Sequence, residues 1–326
     1  MKKILLVKTS SMGDLIHCFP ALTDLKAHFG DEPFELTWVV EESFQDIPLL
    51  HPATTKIIPV AMRRWRKALL SPKTWREYGA FKKAMRAEKW DYVIDAQGLL
   101  KSVFLAKKAK QPIHGFNEKS IREKAAARFN TYQYEVKWLN GAIARARLLF
   151  SQIFGYDLTP QIDFGLPKLE NSNPLTPDEP FVSLIHGTSA ESKEWPEKEW
   201  IALGKWLRKK GLVSVLFWGN EREKERAERM SREIPKSVVV PRQSLTESAH
   251  IIAQSKLVVA VDTGFAHIAN SQELPLVMLF TDSKPSHAGA VLTKHNRHVI
   301  NMGGIGRVPM LDDVKNAIDA FDILPK

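Results

Sequence analysis

Three stretches set reactive or anion-binding side chains at the ends of short apolar runs, and a fourth kind collects positive charge. The first is KTSSMGD, residues 8–14, directly after the apolar ILLV. Gly13 and Asp14 precede the apolar-periodic LIHCFPALTDL, which sets Asp14 at or near a helix N-terminus. Two readings stay open. Asp14 is an N-cap that satisfies the first backbone N–H groups, or it is a carboxylate at the mouth of a cleft, with Gly13 letting a ligand approach the backbone. Lys8 ends the same strand, placed to bind an anion or to pair with Asp14. The second stretch is VVAVDTGFAHIAN, residues 258–270, where a strand runs into Asp262-Thr263-Gly264 and a helix begins. Free N–H groups at such a start, with a threonine hydroxyl and a glycine, suit a diphosphate. His267 follows Thr263 by four residues and shares its helix face. The plain alternative is an Asp–Thr cap and a histidine packed against the sheet.

The third stretch is LIHGTSAESKEWPEKEW, residues 184–200. Thr188, Ser189 and Lys193 lie beyond a strand and are able to bind phosphate oxygens, or they belong to a solvated connection; Pro196 is tolerated at the helix start that follows. The fourth is basic. From Arg63 to Lys89, opening with RRWRK, there are ten Lys or Arg against two acids; from Lys101 to Arg128 there are eight against two. One such run is usually a solvated helix face. Two in the same half point to an anion-binding surface. The interleaved Trp65, Trp75 and Trp90 fit a membrane interface, base stacking or plain core.

Positioning these residues requires a scaffold, and the chain supplies enough length for two domains at 326 residues. The net charge of +10 is unequally shared: residues 1–170 hold 27 basic and 18 acidic side chains, residues 171–326 hold 20 and 19. The first half should therefore face something anionic. No apolar stretch reaches the roughly 20 residues of a membrane span. The opening apolar run is too short for the h-region of a signal peptide, about 7–15 residues, and reads as a first strand. The single cysteine, Cys18, excludes an internal disulfide and a cysteine-based zinc site, and a cytoplasmic protein is expected.

Strands are expected at Ile4–Val7, Leu36–Val40, Lys56–Val60 and Tyr92–Asp95, then at Phe181–Ile185, Val213–Trp218, Val238–Val240, Leu257–Val261 and Leu276–Phe280. Amphipathic helical stretches such as Trp75–Glu88 and Gly98–Ala109 lie between. The alternation predicts an α/β chain of parallel sheets built from βαβ units. LPKLENSNPLTPDEP, residues 166–180, has four prolines and no helical period and reads as a linker. Two doubly wound domains follow, with ligands beyond the carboxyl ends of the strands. No G-x-G-x-x-G or G-x-x-x-x-G-K-[ST] fingerprint is present, and GGIG at 303–306 has the wrong spacing.

Taken together, KTSSMGD, RRWRK, DAQGLLKS (95–102), the Lys193 loop with EWP, FWGN (217–220) and VDTGFAHIA (261–269) occur in the order found in the lipopolysaccharide heptosyltransferases. The chain resembles that family over nearly its whole length, and KTSSMGD with RRWRK favours type I over type II. The resemblance implies GT-B architecture, two Rossmann-like domains facing each other across a cleft. It assigns residues 1–170 to the acceptor and 171–326 to an ADP-sugar, with the last helix, about 311–322, packing back on the N-terminal domain. It implies inverting, metal-independent transfer of L-glycero-D-manno-heptose from ADP-heptose to the Kdo of Kdo-lipid A, with no cofactor beyond the donor substrate. The partners implied are these two substrates and the anionic inner leaflet, not nucleic acid, with the protein peripheral on the cytoplasmic face of the inner membrane.

Roles follow the matching positions. Asp14 matches the family's catalytic acid, acting as general base, and Lys193 matches the residue that stabilises the departing diphosphate. Thr188, Ser189, Lys193, Asp262, Thr263, Gly264 and His267 match donor-binding positions, and Glu223 one beside the ribose. Lys8, Ser11, Gly13, Arg63, Arg64, Arg66, Lys67 and Arg122 match the acceptor side, where arginine suits carboxylate and phosphate. The chain departs from the pattern at Gln243, where relatives often carry Met, leaving the adenine contact open, and at Asn140, which takes no role. Competing readings are a GT-B transferase with another acceptor, a basic nucleic-acid-binding protein, which lacks a recognised binding motif, and a nucleotide-dependent oxidoreductase, which lacks the glycine fingerprint.

Overall fold

The structure, a computed structural model, describes residues 1–138 and 141–324. Asn140 lies outside the described residues. The chain divides into two compact units, Met1–Leu166 and Pro167–Lys326, a few residues ahead of the expected 170/171 boundary.

The first unit holds a six-stranded parallel sheet: β1 (Lys2–Val7), β2 (Phe34–Glu41), β3 (Thr54–Val60), β4 (Tyr92–Asp95), β5 (Ile113–Phe116) and β6 (Tyr132–Tyr134), in the order β3-β2-β1-β4-β5-β6. The apolar run that opens the chain becomes a central strand, with Ile4 to Val7 wholly buried, as a strand covered on both faces must be. The second unit repeats the plan with β7 (Phe181–Ile185), β8 (Val213–Leu216), β9 (Val238–Val239), β10 (Leu257–Val261), β11 (Leu276–Phe280) and β12 (Val299–Gly303), in the order β12-β11-β10-β7-β8-β9. Counted from its own first strand, this is the same order as in the first unit. Alternate residues of β7 feed two cores: Val182 and Leu184 join one, Phe181 and Ile185 the other. The doubly wound α/β expectation is met in both units. In each, strand order reverses beside the first strand, at β1/β4 and at β7/β10. All strands of a parallel sheet end on one edge, so the loops after these strands gather there.

Three strands escape the sequence reading. β5 is a four-residue IHGF, β6 only YQY, and β12 a half-exposed VINMG, so none shows a sustained apolar run. The helix expected over Trp75–Glu88 spans Pro72–Met85, because Ser71 and Pro72 start it earlier. The helix expected over Gly98–Ala109 begins at Leu100, after Gly98 turns at φ +71°, and tightens into a 3-10 turn at Lys107–Ala109. The helix after KTSSMGD is two pieces, Met12–Ile16 and Phe19–Phe29, with Pro20 in the first turn of the second.

Residues 167–180 are not a free tether. Leu169 N–H donates to Gln272 Oε1 at 2.9 Å, Gln254 Nε2 to Leu169 O at 2.7 Å, and Asn173 Nδ2 to Gln243 Oε1 at 3.0 Å and Glu247 O at 3.1 Å. Side-chain amides take the place of a sheet ladder and strap this segment onto the second unit. The apolar face of the last helix, Leu311–Asp319, enters the core of the second unit, where Val314 and Ile318 are fully buried beside Trp200 and Leu203.

Candidate active site

At the carboxyl edge of the first sheet, Ser11 is the N-cap of the helix Met12–Ile16 and Asp14 is its third residue. The reading of Asp14 as N-cap is thereby corrected by three positions. Asp14 Oδ2 accepts the Ser11 N–H and the Ser11 hydroxyl, both at 2.9 Å, the reciprocal half of a capping box. Burial alone pushes the Asp14 carboxyl up. The Lys8 ammonium, the Ser11 N–H, nearby His17 and the Ser11 hydroxyl together outweigh it and hold the group below the ordinary aspartate range. Asp14 therefore stays ionised. Lys8 Nζ donates to Ala96 O at 3.2 Å, tying the end of β1 to the end of β4. Gly13 is buried in the same helical turn.

Residues not singled out before hold this loop. Gln97 Oε1 accepts the N–H groups of Thr9 and Ser10 at 2.9 and 3.3 Å. The turn bearing Gln97 is fixed by fully buried Asp95, whose Oδ1 accepts the Gln97 and Gly98 N–H groups and whose Oδ2 accepts the Ser102 hydroxyl. Burial lifts Asp95 to about 6 against these hydrogen bonds and the Lys8 charge. The signal was in DAQGLLKS: an acid ending an apolar strand, followed by an amide and a glycine.

The basic residues separate into two groups. Arg63, Arg66, Lys67 and Arg122 are exposed. Arg63 lies over the Phe44 ring at 5.3 Å, and Arg122 follows Ile121, which packs on Gly98. Arg64, expected among the acceptor residues, has all three guanidinium nitrogens engaged. Nε and Nη2 bond Glu42 at 3.1 and 2.8 Å, and Nη1 bonds Glu77 at 2.8 Å. Two carboxylates take the charge that the sequence offered to a ligand: Glu77, one of the two acids within the basic run, and Glu42, which lies outside it.

The second unit collects the donor candidates at the ends of β7, β8, β10 and β11. Thr188 Oγ1 donates to Asp262 O at 2.9 Å, joining the loops after β7 and β10. Lys193 Nζ and the Ser283 hydroxyl both donate to Asp262 Oδ2 at 2.8 Å. Thr281 holds the Lys193 loop through the Ser192 carbonyl at 2.8 Å. Ser283, after β11, gave no signal in the sequence because its partner lies 21 residues away. Ser189 is exposed at the loop tip. Thr263 is the N-cap of the helix Gly264–Ser271, yet its hydroxyl makes no capping hydrogen bond, so the first N–H groups of the helix have no partner from the cap side chain. His267 is buried one turn on, within this helix.

Glu223 is buried between two loops. Its Oε2 accepts the Gly219 N–H at 2.7 Å, and a Cβ on Gly187 would stand 2.6 Å from its Cδ. Gly187 is what lets the carboxyl lie there. Gln243 is spent on Asn173 of the strap. Among the described residues no group of three or more His, Cys, Asp or Glu side chains is placed to hold a metal ion.

The family model for glycosyltransferase family 9 (heptosyltransferase) matches residues 78–312. Lipopolysaccharide heptosyltransferase 1 of Pseudomonas aeruginosa is 40% identical over 303 residues, 92% of this chain and 83% of that one. The solved structure of Escherichia coli heptosyltransferase WaaC with ADP is similar at a TM-score of 0.87 and 33% identity, covering 98% of this chain and 99% of that one. The same enzyme with ADP-2-deoxy-2-fluoro heptose gives 0.85 and 34%, with 98% of each chain covered. With two sheets of one strand order and an acid, a lysine and a helix start at their carboxyl edges, the chain belongs to glycosyltransferase family 9, the heptosyltransferases.

Proposed function

We propose that this heptosyltransferase moves L-glycero-D-manno-heptose from ADP-heptose to the Kdo of Kdo-lipid A, with inversion and without a metal ion. The observation that carries the reading is the contrast between the two sheet edges: an ionised carboxylate on one, whose other loops carry exposed arginines, and a lysine and a helix start without a side-chain cap on the other. In the reaction the acceptor hydroxyl oxygen forms a bond to the anomeric carbon as the bond to the ADP phosphate breaks, and the hydroxyl proton passes to Asp14. A single displacement inverts the anomeric centre. A carboxylate held below its usual range is a weak base, so it takes the proton late, once the oxygen has become acidic; such catalysis contributes about 10²–10⁴-fold. The departing diphosphate gains charge, which Lys193, Thr188, Ser189 and the N–H groups at Thr263 and Gly264 offset in the place of a metal. Asp262 and His267 position this set, and Glu223 accepts from a ribose hydroxyl. Arg63, Arg66, Lys67 and Arg122, with Lys8, Ser11 and Gly13, receive the acceptor's carboxylates and phosphates; Arg64 braces their platform.

The protein works, in this reading, as a peripheral enzyme on the cytoplasmic face of the inner membrane, its basic first unit toward anionic headgroups. Among the described residues no helix is long and apolar enough to cross a membrane. The test is transfer from ADP-heptose to Kdo-lipid A in excess chelator, with the anomeric configuration of the product read by NMR. Wild-type turnover with inversion is expected, and a folded Asp14→Ala variant should be inert while still binding ADP. Turnover that needs added metal, or a product with the donor's configuration, refutes the mechanism.

A further inference from the structure

The turn between the helices Met62–Trp65 and Pro72–Met85 carries an apolar tip in open water. Leu70 is 98% exposed, Leu69 58% and Trp75 59%. Single exposed leucines need no explanation. Here three large apolar side chains share one turn, because the Trp75 indole N–H donates to the Leu69 carbonyl at 2.7 Å. That hydrogen bond also satisfies the one donor on the ring, so the ring can leave water without orphaning it.

The tip is stiff. Arg64 and Trp65, at its base, both donate to Glu77, and Trp65 is buried edge-on to Tyr78 at 5.9 Å. Trp75 meets the same Tyr78 edge-on at 6.1 Å. Backbone bonds from Ala68 to Trp65 and from Ser71 to Ala68 close the turn. A preformed tip loses little entropy on docking. Around it the charge is of one sign: residues 63–76 hold six basic side chains and no acid, and Arg66, Lys67, Lys73 and Arg76 are exposed.

We infer that residues 69–76 are a membrane-docking wedge, in which Leu69, Leu70 and Trp75 enter the interfacial layer of an anionic bilayer while Lys73 and Arg76 lie among its phosphates. Apolar tips ringed by cations match that layer, where tryptophan is at home and each nearby cation adds attraction. A second copy of this chain fits poorly, since it would bring two such rings of like charge together. The wedge rests on the reading that the acceptor is met at a membrane, and it follows β3 on the sheet edge that carries Asp14.

The experiment is flotation of the full chain with vesicles of phosphatidylethanolamine and phosphatidylglycerol, against phosphatidylcholine alone, with no acceptor lipid present. Wild type should float with the anionic vesicles and lose binding as salt is raised. Leu69→Ser/Leu70→Ser should weaken binding about tenfold, and Lys73→Gln/Arg76→Gln by about tenfold or more. Leu70→Cys carrying an environment-sensitive fluorophore should shift to the blue on anionic vesicles; Cys18 is buried, its thiol pushed up to about 11, and stays unlabelled. Transfer to a deacylated, water-soluble acceptor should be unchanged in Leu69→Ser/Leu70→Ser. Equal flotation of that variant and wild type, no spectral shift, or binding only when acceptor lipid is added overturns the wedge; the last outcome would assign the tip to the acceptor's acyl chains. Salt-insensitive self-association lost with Leu70→Ser overturns it in favour of a dimer contact. Each outcome is separable from the transferase reading, which stands or falls on wild-type turnover of the soluble acceptor.

Discussion

The two sheets of this protein have one strand order and two kinds of edge. In the first unit the loop after the first strand presents Asp14, which accepts the Ser11 N–H and hydroxyl through one oxygen and has its charge kept by Lys8. In the second, the carboxylate beside the switch is Asp262, after β10; it is occupied by Lys193 and Ser283, and the helix start that follows has no side-chain cap. The same topological switch thus serves a group that takes a proton and a set that receives a diphosphate. The fold provides the edge, and the pairing of each carboxylate decides the chemistry.

Breaking each edge separately should break different steps. Asp14→Asn is expected to lower turnover by about 10²–10⁴-fold, with ADP affinity unchanged by calorimetry; a parallel loss of ADP binding would erase the division. The acid limb of the wild-type rate profile should lie below the ordinary carboxylate range, since Lys8 and Ser11 outweigh burial at Asp14. Lys193→Ala should lower turnover by roughly 10²-fold and weaken ADP binding as well. Gly187→Ala sharpens the second edge: its methyl displaces the Glu223 carboxyl, and the donor KM should rise about tenfold with the fold intact. Asp95 tests the first edge through stability. Burial raises it from 3.8 to about 6, so its contribution is fully present below about pH 4 and lost as pH rises through 6. Asp95→Asn should gain on wild type by on the order of 2 kcal/mol between pH 4 and 7 in denaturant titrations. Ser283→Ala is the mildest, expected to cost only about two- to fivefold in turnover, because Lys193 still holds Asp262.

Much of this was legible from the chain. The central strands are long apolar runs bounded by polar turns, and the residues just after them stand at the sheet edges. What failed to show was pairing at a distance. RRWRK reads as four neighbouring cations, yet Arg64 is neutralised by Glu42 and Glu77, 22 and 13 residues away. Ser283 acts through Asp262 in the loop after another strand, which no local spacing reports; DAQGLLKS marked Gln97, but not its partners Thr9 and Ser10. The edge strands β6 and β12 are too short or too polar to show an apolar run, and their place comes from neighbours that are already in register.

The strap over residues 167–180 has a consequence for how such a chain is assembled and reused. Its amides find their partners wholly within Pro167–Lys326, and Met1–Leu166 keeps its own sheet. The peptide bond between 166 and 167 is therefore a seam: a gene recombined there keeps each sheet whole, and the strap travels with the partners that hold it.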